Sequence, residues 1–134
     1  MQGGTEDDGS LMVVANEIIT NQALSPEVII AKIFLSSKIS GNLQMDEVAE
    51  LIAGLDKHGV DTSKMLCYPT GSTIYCEDLD KFVSKFVSFG FAKDSSPIKL
   101  TDKGKEICER IVENSASAKN EHQLKKLDKF LKEY

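Results

Sequence analysis

Cys67, Cys76 and Cys108, together with His58 and His122, are the residues whose side chains could ligate a soft metal or act as a nucleophile and its base. Zinc and redox motifs set such residues a few positions apart, as in Cys-x-x-Cys. The three cysteines are an odd number at no such spacing, which points to free thiols in a reducing, cytoplasmic setting. His58 closes a helical pattern, where a cation suits the helix dipole, and His122 stands among charges. No nucleophile motif accompanies either histidine. Thr70-Gly71-Ser72-Thr73 could offer backbone amides to an anion, but it lacks the glycine spacing and the lysine of a phosphate loop. Capping of the next helix by Ser72 or Thr73 explains these residues more simply. The expectation is therefore no enzyme, no metal and no cofactor.

The elements that would position these residues centre on residues 74–112. Leu79, Phe82, Val83, Phe86 and Val87 recur at i, i+3, i+4, i+7 and i+8, one apolar stripe on a helix opening at Ile74. Gly90 ends it, and Phe91-Ala92-Lys93, Asp94-Ser95-Ser96-Pro97 and Ile98-Lys99-Leu100 read as strand, turn and strand. Thr101 then caps a helix whose inner face is Ile107, Cys108, Ile111 and Val112. Upstream, Ser25-Pro26-Glu27 supplies a cap, a first-turn proline and a first-turn acid to a helix through Val28, Ile29, Ile30, Ile33, Phe34 and Leu35. That helix is apolar nearly all round and should be central. After a turn at Ile39-Ser40-Gly41-Asn42, with Asn42 or a neighbour as cap, a third helix presents Met45, Val48, Ala49, Ile52 and Leu55 and ends near Lys57-His58-Gly59. Residues 60–72 show no period, so a loop, a helical turn and a short strand near Met65-Leu66-Cys67 all stay open.

The run Phe86-Val87-Ser88-Phe89-Gly90-Phe91-Ala92, followed by Ile98-Lys99-Leu100-Thr101-Asp102-Lys103-Gly104-Lys105-Glu106-Ile107, resembles the LxxxGLI and VxLTxKGxEL ending of MarR-like and PadR-like winged-helix regulators. Leu43-Gln44-Met45-Asp46-Glu47-Val48-Ala49-Glu50-Leu51 is similar to the first helix of their helix-turn-helix. In that family a short turn joins the two helices, whereas residues 52–72 intervene here. A long link carrying Tyr68-Pro69-Thr70-Gly71-Ser72 looks more like YwgA-like and SocA-like domains. The resemblance implies a mostly α, winged-helix-like helical domain over residues 11–114 with a small two- or three-stranded β wing. Residues 1–10, acidic and glycine-rich, read as a disordered tail. Residues 11–19 are apolar but interrupted by Glu17, and fit a core helix better than a targeting segment or membrane span.

Such a fold invites DNA, with Lys81, Ser84, Lys85 and Ser88 on the outer face of the helix opening at Ile74 and Lys93 and Lys99 on the wing as candidate contacts. Charge argues against it. The net charge is −5, three of those negatives lie in residues 1–10, and Arg110 is the only arginine, although arginine is the usual reader of guanine edges. Glu77 stands four residues before Lys81, the order that pairs best on a helix. A non-catalytic regulatory module that binds double-stranded DNA is one reading. The alternative is a protein-interaction module on the same scaffold, with Ile74, Tyr75, Phe89 and Phe91 as surface apolar candidates. In residues 115–134 a C-terminal amphipathic helix carries Leu124, Leu127, Leu131 and Tyr134 at a/d spacing. That stripe either packs on its own domain or joins a second copy as a homodimer.

Overall fold

The computed structural model describes residues 22–36, 44–95, 97–117 and 119–133. The expected tail at 1–10, the apolar run at 11–19, the turn at 39–42, Ser96 and Tyr134 lie outside the described residues. The described chain is mostly helical. Its order is α1 (Pro26–Leu35), α2 (Met45–Gly54), a 3-10 turn (Leu55–His58), β1 (Cys67–Thr70), β2 (Thr73–Cys76), α3 (Glu77–Ser88), β3 (Ala92–Ser95), β4 (Ile98–Leu100), α4 (Asp102–Ser115) and α5 (Glu121–Glu133). Among the described residues β1 pairs with β2 and β3 with β4, giving two separate antiparallel hairpins.

α1 is the centre of the core, as its composition requires. Ser25 accepts a hydrogen bond from the Val28 amide at 3.4 Å and Pro26 takes the first helical position, where its missing N–H costs nothing. Val28, Ile29, Ile30, Ala31, Ile33 and Phe34 are all buried, because α4 packs along α1 while α3 and α5 cover its flanks. α2 buries Val48, Ala49, Leu51 and Ile52. Gln44 stands at its cap position without a side-chain capping bond, so the cap expected from Asn42 or a neighbour is not seen at Gln44. α4 starts where expected, with Thr101 Oγ1 accepting from the Gly104 amide at 3.0 Å. It ends at Ser115, with Ala116 as its C-cap.

Three expectations are corrected. The helix read as opening at Ile74 begins at Glu77, because Thr73, Ile74, Tyr75 and Cys76 are a strand. Ser72 and Thr73 therefore cap nothing: they belong to a hairpin turn and its outgoing strand. Val87, placed on the inner stripe, is exposed, while Leu79, Phe82, Val83 and Phe86 are buried as the spacing requires. α3 is an amphipathic helix of twelve residues.

α5 lies on the same core. Leu127 and Leu131 are buried and Leu124 packs partly against the cluster. Gln123 is the buried polar side chain among them. Its Oε1 accepts from the Asp61 amide at 2.6 Å and its Nε2 donates to the Gly59 carbonyl at 3.4 Å, satisfying the backbone of the loop after the 3-10 turn. Gln123→Leu is expected to cost about 1–2 kcal/mol through those orphaned groups. The readout is a lower urea midpoint at unchanged slope; an unchanged midpoint would mean that water replaces the glutamine.

A surface hairpin as the candidate functional site

The segment without a readable period holds the first hairpin. Thr70 and Thr73 are opposite one another, with Gly71 and Ser72 as a two-residue loop. Gly71 has φ of 68°, the left-handed value that a primed hairpin turn asks of a glycine. Thr73 Oγ1 donates to the Thr70 carbonyl at 3.1 Å and tightens the tip. Pro69 is tolerated because it faces Ile74, one step from the bonded Thr70/Thr73 pair, where the ladder asks no N–H of it.

A period of two separates the hairpin's faces. Cys67, Ile74 and Cys76 point inward, and α2 packs against β2. Leu66, Tyr68 and Tyr75 point outward, exposed by 55%, 48% and 36%. Tyr68 and Tyr75 are cross-strand partners with ring centroids 5.4 Å apart, inclined at 57°. The first turn of α3 fixes the base of this face. Asp78 Oδ2 accepts from the Leu66 amide at 2.7 Å, and the Glu77 amide donates to the Leu66 carbonyl at 2.9 Å.

The electrostatics around the tyrosines are acidic. The Tyr75 hydroxyl is held above its ordinary range, first by desolvation and then by Asp80, Tyr68 and Glu77, with Lys81 opposing. Lys81, the first DNA-contact candidate, is held by Glu77 at 2.8 Å, and that hydrogen bond is the main cause of its raised pKa. Ser84, Lys85 and Ser88 continue along the exposed side of α3, and Lys93 and Lys99 are exposed on the second hairpin. Lys85, Lys93 and Lys99 have no carboxylate partner among the described residues.

No protein family, curated protein or solved structure matches this chain.

Of the residues that could do chemistry, Cys67 and Cys76 are cross-strand partners in the first hairpin. Cys108 is sealed in the core on α4, its thiol pushed up to about 12 by burial and by Glu109. His58 leans on Phe130 at 4.6 Å, beside a groove that also carries Glu47, Glu50 and Glu133. Among the described residues no three His, Cys, Asp or Glu side chains come together as metal ligands, and no helix is long and apolar enough to cross a membrane. Of the surface apolar candidates, Tyr75 and Phe89 are exposed, whereas Ile74 and Phe91 pack partly on the core. Leu66 and Tyr68 were missed by sequence reasoning, although Gly-Ser between two short runs rich in Thr, Ile, Tyr and Cys is a hairpin signal.

Proposed function

We propose that the chain is a non-catalytic protein-interaction module on a winged-helix-like scaffold, and that the outer face of the first hairpin receives a basic, arginine- or lysine-bearing segment of a partner protein. The carrying observation is the exposed Tyr68/Tyr75 pair beside Asp80 and Glu77. Two ring faces next to carboxylates suit a cation with an apolar stem, which gains both ring attraction and charge pairing. The order α1, α2, α3, second hairpin supports the scaffold reading, with the first hairpin standing where helix-turn-helix proteins have a short turn.

The test is anisotropy of a labelled arginine-containing peptide against the full chain and against Tyr68→Ala with Tyr75→Ala. Each exposed ring contributes about 0.5–1 kcal/mol to a bound cation, so the double variant, whose charge is unchanged, is expected to bind about tenfold more weakly. Equal affinity for both proteins would reduce the attraction to net charge and remove the hairpin from the account. A second reading, DNA binding, is favoured by Lys85, Lys93 and Lys99, which have no carboxylate partner among the described residues. It predicts salt-sensitive binding of duplex DNA that is lost in Lys85→Glu with Lys93→Glu.

A further inference from the structure

The inner face of the same hairpin carries a pair of cysteines. Cys67 and Cys76 are directly opposite across β1 and β2, and both are free thiols. The Glu77 amide bonds the Leu66 carbonyl one step further on, so by the alternation of an antiparallel ladder the cysteines form a non-hydrogen-bonded pair. Such pairs hold their Cα atoms about 4.5 Å apart with side chains on one face, within the span of about 4.4–6.8 Å that a disulfide accepts. Cys67 is partly exposed and gives a small oxidant access, while Cys76 is buried where β2 turns into α3.

We propose that Cys67 and Cys76 are an oxidation site, at which a hydroperoxide converts the two thiols into an intrachain disulfide across the base of the hairpin. The Cys76 sulfur, at the N-terminus of α3 where the helix dipole favours a thiolate, is the nucleophile. The hydrogen bond from the Cys67 S–H holds Cys76 below the ordinary thiol range against burial and the charge of Asp78. The same hydrogen bond, followed by burial and the charges of Cys76 and Asp78, holds the Cys67 proton in place. The Cys76 thiolate attacks one peroxide oxygen and the O–O bond breaks. The departing oxygen leaves as water or alcohol with the proton Cys76 had released, and Cys76 becomes a sulfenic acid. The Cys67 sulfur then attacks the Cys76 sulfur, the S–O bond breaks, and a water leaves with the Cys67 proton. Two thiols have lost two protons and two electrons to one peroxide. The closed bond joins the strands one residue from Tyr68 and Tyr75 and so fixes the spacing of the aromatic face.

The experiment is hydrogen peroxide treatment of the full reduced chain, read by intact mass, thiol titration after denaturation and peptide mapping. Three titratable thiols should fall to one with the loss of two hydrogens, a single linked peptide should join Cys67 to Cys76, and Cys108 should stay reduced. Cys67→Ser, which removes the resolving thiol, should leave a sulfenic acid on Cys76 that dimedone traps. Retention of all three thiols, linkage through Cys108 or between chains, or dimedone labelling of Cys108 ahead of Cys76 would overturn the proposal.

Discussion

Gly104→Ala is expected to destabilise the protein by about 3 kcal/mol or more and to loosen the second hairpin from α4. A Cβ at Gly104 would stand 1.9 Å from the carbonyl oxygen of Phe91. That oxygen is backbone and cannot rotate aside. It is also engaged, accepting from the Thr101 amide at 2.9 Å and from Thr101 Oγ1 at 3.1 Å. The alanine must therefore push α4 off the chain entering β3 and weaken these bonds together. Overpacking alone costs about 1–3 kcal/mol, and each lost hydrogen bond about 1 kcal/mol more. For a domain of this size the sum corresponds to a fall in Tm of about 10 °C or more. Thermal denaturation followed by circular dichroism measures it, with Gly54→Ala as the control, since a Cβ there meets nothing within 4 Å. Equal melting of the two variants would refute the close approach of α4 to Phe91.

The second large effect is expected at Phe34, on α1. Its side chain is 1% exposed and meets the ring of Phe82 edge-on, with centroids 5.6 Å apart at 72°. Phe82 in turn stacks on Phe86, Phe86 meets Phe91 edge-on, and Phe91 lies against Phe89, which is 68% exposed. This chain of five rings runs from the middle of the core to the surface and ties α1 to α3 and the second hairpin. Phe34→Ala leaves a cavity at the closed end of it, where the surrounding helices have little room to collapse. The expected cost is about 3–5 kcal/mol, a large share of the 5–15 kcal/mol typical of a domain. Phe89→Ala, at the open end, should cost under about 1 kcal/mol. Urea denaturation of both variants checks the gradient, and a Phe34→Ala loss no greater than that of Phe89→Ala would contradict it.

The helices were legible where periodic apolar residues coincided with a local cap. Ser25, Thr101 and the residues 79, 82, 83 and 86 carry their signals within a turn or two of chain, and the second hairpin follows from Gly90, whose φ of 78° ends α3 as expected. The first hairpin was not legible for physical reasons that its structure makes plain. Of its two strands only Cys76 is buried, so no alternation of apolar and polar residues marks them. Pro69 speaks against a strand until its unbonded position is known, and Ile74 and Tyr75 extend the apolar content of α3 backward by three residues. The small residues at 70–73 suit a helix cap or an anion cradle as well as a turn. The role of Gly104 was hidden differently. Its partner is a backbone oxygen thirteen positions away, so the residue shows in a motif while its cause does not. Gln123 likewise serves amide and carbonyl groups some sixty positions away in the chain.

The candidate site divides in the same manner. Lys81, Ser84, Lys85 and Ser88 are on one side of α3 as the helical period requires, but the pairing of Lys81 with Glu77 removes one cation from the set. The face that stands out instead is Leu66, Tyr68 and Tyr75, made by a strand pairing that brings residues seven positions apart into ring contact.

The most direct measurement is an NMR titration of the isotope-labelled full chain with the arginine-containing peptide, following backbone amides. Saturable shifts are expected to concentrate at residues 66–68 and 73–81, with Lys85, Lys93 and Lys99 unmoved. Shifts centred on Lys85, Lys93 and Lys99 with duplex DNA, and none on the hairpin with peptide, would contradict this expectation.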